Sequence, residues 1–166
     1  MIVLSSISCN NPYRPLNIGH RGAKGHIAEN TLPSISKAIE LGVDGIEIDI
    51  FVCKSGELVV FHDKKLDRLT NSHGYIESLE YDSIRKISVL GEHKIPTLNE
   101  VIELIDGKVF LNIELKGSGT AEPTHKLLTP LLKQKKWRPD QFIISSFNWE
   151  ELEIFYNLNK KVPIAI

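Results

Sequence analysis

Two acidic residues alternate with isoleucines in the segment Gly45-Ile46-Glu47-Ile48-Asp49-Ile50. If the segment is a β-strand, side chains two positions apart point the same way, so Glu47 and Asp49 share one face. Two carboxylates side by side repel each other unless a positive group lies between them. A divalent metal ion would provide that group, and oxygen ligands favour a hard ion such as Mg²⁺ or Ca²⁺. The alternative is a solvent-exposed strand face that carries two charges.

Other residues that could take part in catalysis or binding lie where further predicted strands end. They are His20 and Arg21 near the N-terminus, His62 after the segment 58–61, and Glu114 and Lys116 in the segment 109–117. In a parallel α/β barrel, the carboxyl ends of the strands meet at one mouth, where the site lies. Two histidines there could act as general acid and general base, and the two cations would bind an anion. Together with a metal, these groups suit the cleavage of a phosphate ester.

The elements that must position these residues begin with a predicted βαβ unit. A short strand ends at His20-Arg21-Gly22. The helix that follows is capped by Thr31, carries Pro33 in its first turn and stops at Gly42. Because the acidic strand comes next, two strands joined by a helix predict a parallel sheet.

The second half of the chain continues this alternation. A helix opened by the capping box of Thr97 and Glu100 ends at Gly107. The segments beyond it are a strand at 109–117, a helix at 122–136 with Leu127, Leu128, Leu131 and Leu132 buried, a strand at 142–147, a helix capped by Asn148 and Glu151, and a strand from Val162. The stretch 64–95 is turn-rich, with one short helix predicted at 78–87, and is interpreted as an excursion from the main fold.

Several short motifs occur in order along the chain and together resemble the glycerophosphodiester phosphodiesterase family. They are His20-Arg21-Gly22, Glu29-Asn30-Thr31, Gly45-Ile46-Glu47-Ile48-Asp49, Leu58-Val59-Val60-Phe61-His62-Asp63, Leu66-Asp67-Arg68-Leu69-Thr70, Ile95-Pro96-Thr97-Leu98 and Asn112-Ile113-Glu114-Leu115-Lys116. The resemblance implies an α/β fold of the (β/α)₈ TIM-barrel type, with a small insertion after the second strand. It also implies metal-dependent hydrolysis of glycerophosphodiesters to glycerol 3-phosphate and an alcohol.

The resemblance assigns a role to each matched residue of this sequence. His20 and His62 would be the acid–base pair, and Mg²⁺ or Ca²⁺ would be the metal. The metal ligands would be Glu47, Asp49 and Glu114, and the substrate-binding group would be Arg21, Lys116 and Glu29. Of these, Arg21 and Lys116 would contact the phosphate, whereas Glu29 would organise the mouth through its loop.

The length of the chain predicts a truncated barrel. A (β/α)₈ barrel takes about 250 residues, whereas this chain has 166, enough for about five barrel strands with 58–61 as a hairpin partner. The predicted division is an N-terminal tail at 1–15 and a partial phosphodiesterase domain at 16–166, with the insertion at about 64–95. Two alternatives stay open: a phospholipase-like phosphodiesterase that cleaves sphingolipid or inositol lipid by internal attack, and an inactive remnant.

Composition and charge indicate which classes of binding partner the protein has. The net charge of −1 gives no electrostatic reason to expect nucleic acid. No apolar run approaches the roughly 20 residues of a transmembrane helix. The first residues, Met1 to Cys9, resemble the end of a bacterial lipoprotein signal but lack its basic region. The expected partner is therefore a small-molecule substrate. The sequence leaves two locations open: the cytoplasm or, if the start lies upstream of Cys9, the cell envelope as a lipoprotein.

Overall fold

The computed structural model describes residues 14–166, so Cys9 and the lipoprotein interpretation lie outside the described residues. A sheet of six strands organises this part of the chain. Its strands are β1 (Ile18–His20), β2 (Gly45–Val52), β3 (Leu58–Val60), β4 (Phe110–Leu115), β5 (Phe142–Ser145) and β6 (Ile164–Ala165). Five of them follow one another in the order β1-β2-β4-β5-β6, with every neighbouring pair parallel.

Helices connect the parallel strands. They are α1 (Leu32–Glu40), α2 (Tyr81–Ile84), α3 (Leu98–Ile105), α4 (Ala121–Lys133) and α5 (Trp149–Leu158). Each parallel strand is joined to the next through at least one helix, which is the connection that parallel strands require. The predicted α/β class is confirmed, and the strand order is that of a barrel wall. No helix in the described residues is long and apolar enough to cross a membrane.

The two central strands divide apolar from polar side chains. On β2 and β4, Ile46 pairs in register with Leu111 and Ile48 with Ile113, and all four side chains are fully buried in the main core. The intervening residues point to the opposite side, where Asp49 is in register with Glu114. The alternation that the sequence shows therefore places the acidic residues together in space.

A second hydrophobic core lies beside the first. Strand β3 pairs antiparallel with the end of β2, and the chain then enters the stretch 64–95. The buried side chains of this second core include Phe51, Phe61, Leu66, Ile76 and Ile84. The stretch 64–95, called the excursion below, thus packs onto the β2–β3 hairpin through its own apolar cluster.

The single helix predicted at 78–87 is wrong. The structure has a 3₁₀ turn at Ile76–Ser78 and one helical turn at Tyr81–Ile84, separated by extended backbone. In that extended segment the carbonyl of Leu79 accepts a hydrogen bond from Lys54 N at 2.9 Å. This bond to the hairpin competes with a continuous helix, and the local sequence does not reveal it.

The helices α4 and α5 differ from expectation in two respects. Of the four leucines predicted to be buried on α4, Leu128 is buried, whereas the other three are half-buried at the rim of the core. Asn148 caps α5 as predicted, because its Oδ1 accepts from Glu150 N at 3.1 Å. Glu151 does not cap α5; its carboxylate accepts hydrogen bonds from Gly119 N and Ala121 N at the start of α4.

Candidate active site at the carboxyl ends of the strands

Three carboxylates meet above the centre of the sheet. One oxygen from each of Glu47, Asp49 and Glu114 lies within 4.8 Å of the other two. Glu47 is 9% exposed and Asp49 is 1% exposed, so the alternative of a solvent-exposed acidic face is wrong. The cause is the parallel register of β2 and β4, which brings residues 65 positions apart in sequence side by side.

The electrostatics of this cluster favour a cation. Burial, and then the neighbouring charge of Asp49, raise the pKa of Glu47 to about 7. Burial also raises the pKa of Asp49, although a hydrogen bond from Asn30 opposes that shift. Within the described part of the chain, Glu47 Oε1 is buried and has no hydrogen-bond partner. An oxygen of this kind, beside two further carboxylates, is suited to bind a hard cation.

Asn30 holds the central carboxylate in place. Its Nδ2 donates to Asp49 Oδ2 at 2.9 Å, and its Oδ1 accepts from Asp49 N at 3.4 Å. The residue is buried and has a φ of 56°, the left-handed conformation that asparagine adopts more readily than most residues. The sequence alone predicts no role for Asn30, although the residue stands in the motif Glu29-Asn30-Thr31.

Two cations already contact the cluster. The backbone N of Arg21 donates to Glu47 Oε2 at 2.9 Å, and its Nε lies 3.4 Å from Asp49 Oδ2. Lys116 Nζ donates to Glu114 Oε1 at 2.8 Å and lies 3.8 Å from Asp49 Oδ1. Both predicted phosphate-binding residues therefore lie at the carboxylates, where they offset part of the negative charge.

His20 stands at the edge of the same cluster. Its Nε2 lies 3.7 Å from Glu47 Oε2, and its side chain is 55% exposed. Burial, followed by the positive charges of Lys24 and Arg21, lowers the pKa of His20. A neutral ring in contact with solvent and next to the carboxylates can accept a proton.

His62 is oriented by the residue that follows it. Its Nδ1 lies 2.5 Å from Asp63 Oδ1. A hydrogen bond from Arg68 is the largest cause that lowers the pKa of Asp63 to about 2, so this carboxylate is ionised at neutral pH. An ionised carboxylate only accepts hydrogen bonds, so Nδ1 of His62 carries the proton and Nε2 is left for proton transfer.

Glu29 and Arg68 complete the arrangement. Glu29 Oε1 accepts from Arg21 Nη1 at 2.8 Å and from Arg68 Nη2 at 2.7 Å. Although burial acts in the opposite direction, the hydrogen bonds from these two arginines lower the pKa of Glu29. Arg68 also binds Asp63, although it was not among the site residues predicted from the sequence. Its one signal was its place in the motif 66–70.

All eight residues singled out in the sequence thus belong to one connected region. Seven of them are in direct contact in or around the carboxylate cluster: His20, Arg21, Glu29, Glu47, Asp49, Glu114 and Lys116. His62 connects to them through Asp63, Arg68 and Glu29. Acids, imidazoles and cations at the carboxyl ends of parallel strands define an enzyme site of the barrel class.

Comparison with known families agrees with that class. The model of the Glycerophosphoryl diester phosphodiesterase family matches residues 20–166. The chain therefore belongs to this family. A curated glycerophosphodiester phosphodiesterase from Caldanaerobacter subterraneus subsp. tengcongensis is 40% identical over 144 residues, which cover 81% of this chain and 59% of the relative. The chain thus spans about three fifths of that relative.

Solved structures show the same fold. A glycerophosphodiester phosphodiesterase from Agrobacterium tumefaciens superposes with a TM-score of 0.79 at 25% identity, over 90% of this chain and 65% of that one. A phosphodiesterase from Oleispira antarctica, solved in complex with the product sn-glycerol-3-phosphate, also has a TM-score of 0.79. It is 34% identical and is covered over 64% of its length, with 90% of this chain aligned. The predicted barrel type is confirmed by these neighbours.

Proposed function

We propose that this chain carries the catalytic groups of a metal-dependent phosphoric diester hydrolase that converts glycerophosphodiesters to glycerol 3-phosphate and an alcohol. The observation that carries the proposal is the cluster of buried Glu47 and Asp49 with half-buried Glu114, and the unpartnered oxygen on Glu47. Membership of the family and the glycerol 3-phosphate complex of the Oleispira antarctica relative support the substrate class.

The carboxylate cluster fits a hard divalent cation, Mg²⁺ or Ca²⁺. The donor set is all oxygen, and Glu47, Asp49 and Glu114 would hold the ion between β2 and β4. When bound, such an ion supplies positive charge that offsets the charge of a phosphate diester. Lys116 also places positive charge beside these carboxylates, since it contacts both Asp49 and Glu114.

The histidines divide the proton transfers. The lowered pKa of His20 keeps its ring neutral at neutral pH, which favours this residue as the proton acceptor for the attacking oxygen. His62, starting with both ring nitrogens protonated and with Nδ1 held by ionised Asp63, then delivers its Nε2 proton to the oxygen of the departing alcohol. The bond from phosphorus to the attacking oxygen forms as the bond to the leaving oxygen breaks. The attacking oxygen gives its proton to His20, and the leaving oxygen receives a proton from His62.

The two basic side chains bind the substrate phosphate. Arg21 and Lys116 present their charges at the carboxyl ends of β1 and β4, beside the cluster. Glu29 is negatively charged and would repel the substrate phosphate, but it accepts a hydrogen bond from Arg21. Its contribution to substrate binding is therefore to hold the Arg21 guanidinium. An arginine held in this way loses less side-chain entropy when it binds phosphate.

The test is product release by the purified chain. Glycerophosphocholine is incubated with the protein in Mg²⁺, in Ca²⁺ and in chelator, and glycerol 3-phosphate is measured separately from cyclic glycerophosphate. We expect metal-dependent release of glycerol 3-phosphate, reduced about 100-fold or more in His20→Ala, since general acid–base catalysis is worth about that factor.

His73→Ala is the matched control, because that ring is exposed and paired with Asp67 on the excursion. A cyclic product would instead favour the phospholipase-like alternative. Absence of release, or release that chelator leaves unchanged, would refute the proposal for this chain.

A further inference from the structure

Arg68 joins the two halves of the site through two carboxylates. Its Nε donates to Asp63 Oδ2 at 2.6 Å and its Nη2 donates to Asp63 Oδ1 at 3.1 Å. This is the bidentate contact that an arginine guanidinium makes with a carboxylate. The same Nη2 donates to Glu29 Oε1 at 2.7 Å, and Nη1 lies 3.4 Å from Glu29 Oε2. One side chain thus fixes both oxygens of Asp63 and reaches Glu29.

Each of these carboxylates holds a residue of the proposed reaction. Asp63 accepts from His62 Nδ1, and Glu29 accepts from Arg21 Nη1. The contacts form a continuous path from His62 through Arg68 to Arg21, which itself touches Glu47 and Asp49. Without Arg68, Asp63 and Glu29 would lose the positive charge between them, and Asp63 could rotate away from the imidazole.

The position of Arg68 is set by the excursion. The preceding Leu66 is fully buried in the second core. Thr70 closes the turn, because its N and its Oγ1 both donate to the carbonyl of Leu66, at 3.1 and 2.8 Å. Leu66 N in turn donates to the carbonyl of Gly74 at 3.0 Å. Arg68 therefore lies in a turn that these hydrogen bonds hold in place, although its own side chain is 46% exposed.

We propose that Arg68 is a positioning residue that orients His62 through Asp63 and Arg21 through Glu29, and that the excursion serves the active site by presenting it. This inference rests on the proposed function in that His62 and Arg21 are the residues to be oriented. The competing interpretation is a surface ion pair that affects stability alone; isolated exposed pairs contribute little even to that.

The test compares Arg68→Gln and Arg68→Lys with Arg85→Gln, an exposed arginine of the same excursion that lies 3.9 Å from Asp82. The first readout is the pair of ring-nitrogen NMR shifts of His62, which report its tautomer and hydrogen bonding without any turnover. We expect Arg68→Gln to move these shifts, Arg68→Lys to move them less, and Arg85→Gln to leave them as in the parent protein.

The second readout is kinetic. We expect Arg68→Gln to lower kcat/KM by about tenfold or more. Losses of this size are found when a residue that orients a metal ligand through a hydrogen bond is mutated. The loss should appear in kcat through His62 and in KM through Arg21. In the double variant with Asp63→Asn, the kcat effect of Arg68→Gln should largely vanish, because the carboxylate it holds is gone.

These readouts separate the two levels of inference. A parent protein without turnover refutes the proposed function, while the His62 ring shifts still decide whether Arg68 positions that ring. Unchanged ring shifts in Arg68→Gln would overturn the positioning role. Additive kcat effects of Arg68→Gln and Asp63→Asn would overturn the path through Asp63.

Discussion

The carboxylate of Asp63 is shared by an imidazole and a guanidinium. Arg68 contributes most to lowering its pKa to about 2, with His62 adding to the effect against an opposing contribution from burial. Because the folded-state pKa lies below the ordinary aspartate value of 3.8, ionised Asp63 stabilises the folded state above about pH 4. That contribution is lost as the pH falls towards 2.

We therefore predict a pH-dependent stability difference for Asp63→Asn. At pH 6 the variant should unfold at lower urea concentration than the parent, by less than about 1 kcal/mol because the pair is partly exposed. At pH 3 the gap should be clearly smaller. Urea unfolding followed by fluorescence at both pH values measures it.

Asp82→Asn is the matched control, because Asp82 is highly exposed and lies 3.9 Å from its nearest cation. An Asp63→Asn gap that stayed constant from pH 6 to pH 3 would contradict the assignment of the charge on Asp63. A gap of the same size in the control would show that the effect is not specific to this carboxylate.

At the scale of elements, one buried carboxylate connects two helices. Glu151 lies on α5, and its oxygens accept from Gly119 N at 2.5 Å, Ala121 N at 2.7 Å and Thr120 Oγ1 at 3.1 Å. The first residues of a helix have free N–H groups and a partial positive charge, which an anion stabilises. Helix α4 is thus capped from the following helix, without a side-chain cap of its own from Thr120.

We predict that Glu151→Ala lowers the free energy of unfolding by about 1.5–3 kcal/mol, because buried donors at the start of α4 lose a charged acceptor. Glu153→Ala removes an exposed carboxylate from the same helix and should change stability by less than about 0.5 kcal/mol. Thermal or urea unfolding of both variants compares them. Equal stability of the two variants would show that the contact to α4 contributes nothing.

At the scale of the whole molecule, the proposed metal site joins strands β2 and β4. Glu47 and Asp49 come from β2 and Glu114 comes from β4, the two strands that share the longest register in the sheet. A ligand bound to both strands in the folded state adds its binding free energy to global stability. The same strands carry the main hydrophobic core on their other face.

We predict that Mg²⁺ or Ca²⁺ raises the unfolding temperature of the chain relative to chelator. At a hundredfold excess over Kd the gain is about 2.7 kcal/mol, which corresponds to several degrees for a chain of this size. Glu47→Gln should abolish the increase, whereas Glu122→Gln, an exposed change on α4, should retain it. Differential scanning calorimetry with and without metal measures the shift. An undiminished increase in Glu47→Gln would remove this residue from the metal site.

The sequence by itself determined the features that depend on neighbours along the chain. Alternation on β2 and β4 predicted which side chains share a face, and the capping box of Thr97 and Glu100 located the start of α3. The ordered motifs predicted the family, and with it the residues that now lie around Glu47. These features follow from local backbone geometry, in which side chains two apart in a strand or three apart at a helix start have fixed relations.

The tertiary structure alone decided the features that depend on packing between distant segments. The burial of Glu47 and Asp49 results from the neighbouring strands and from the loop that carries Asn30. Arg68 and Glu151 meet partners about 30 or more residues away, at Glu29 and at the start of α4. Their sequence neighbourhoods resemble those of ordinary surface charges. Such contacts form because the sheet and the two cores bring the segments together, which no local pattern encodes.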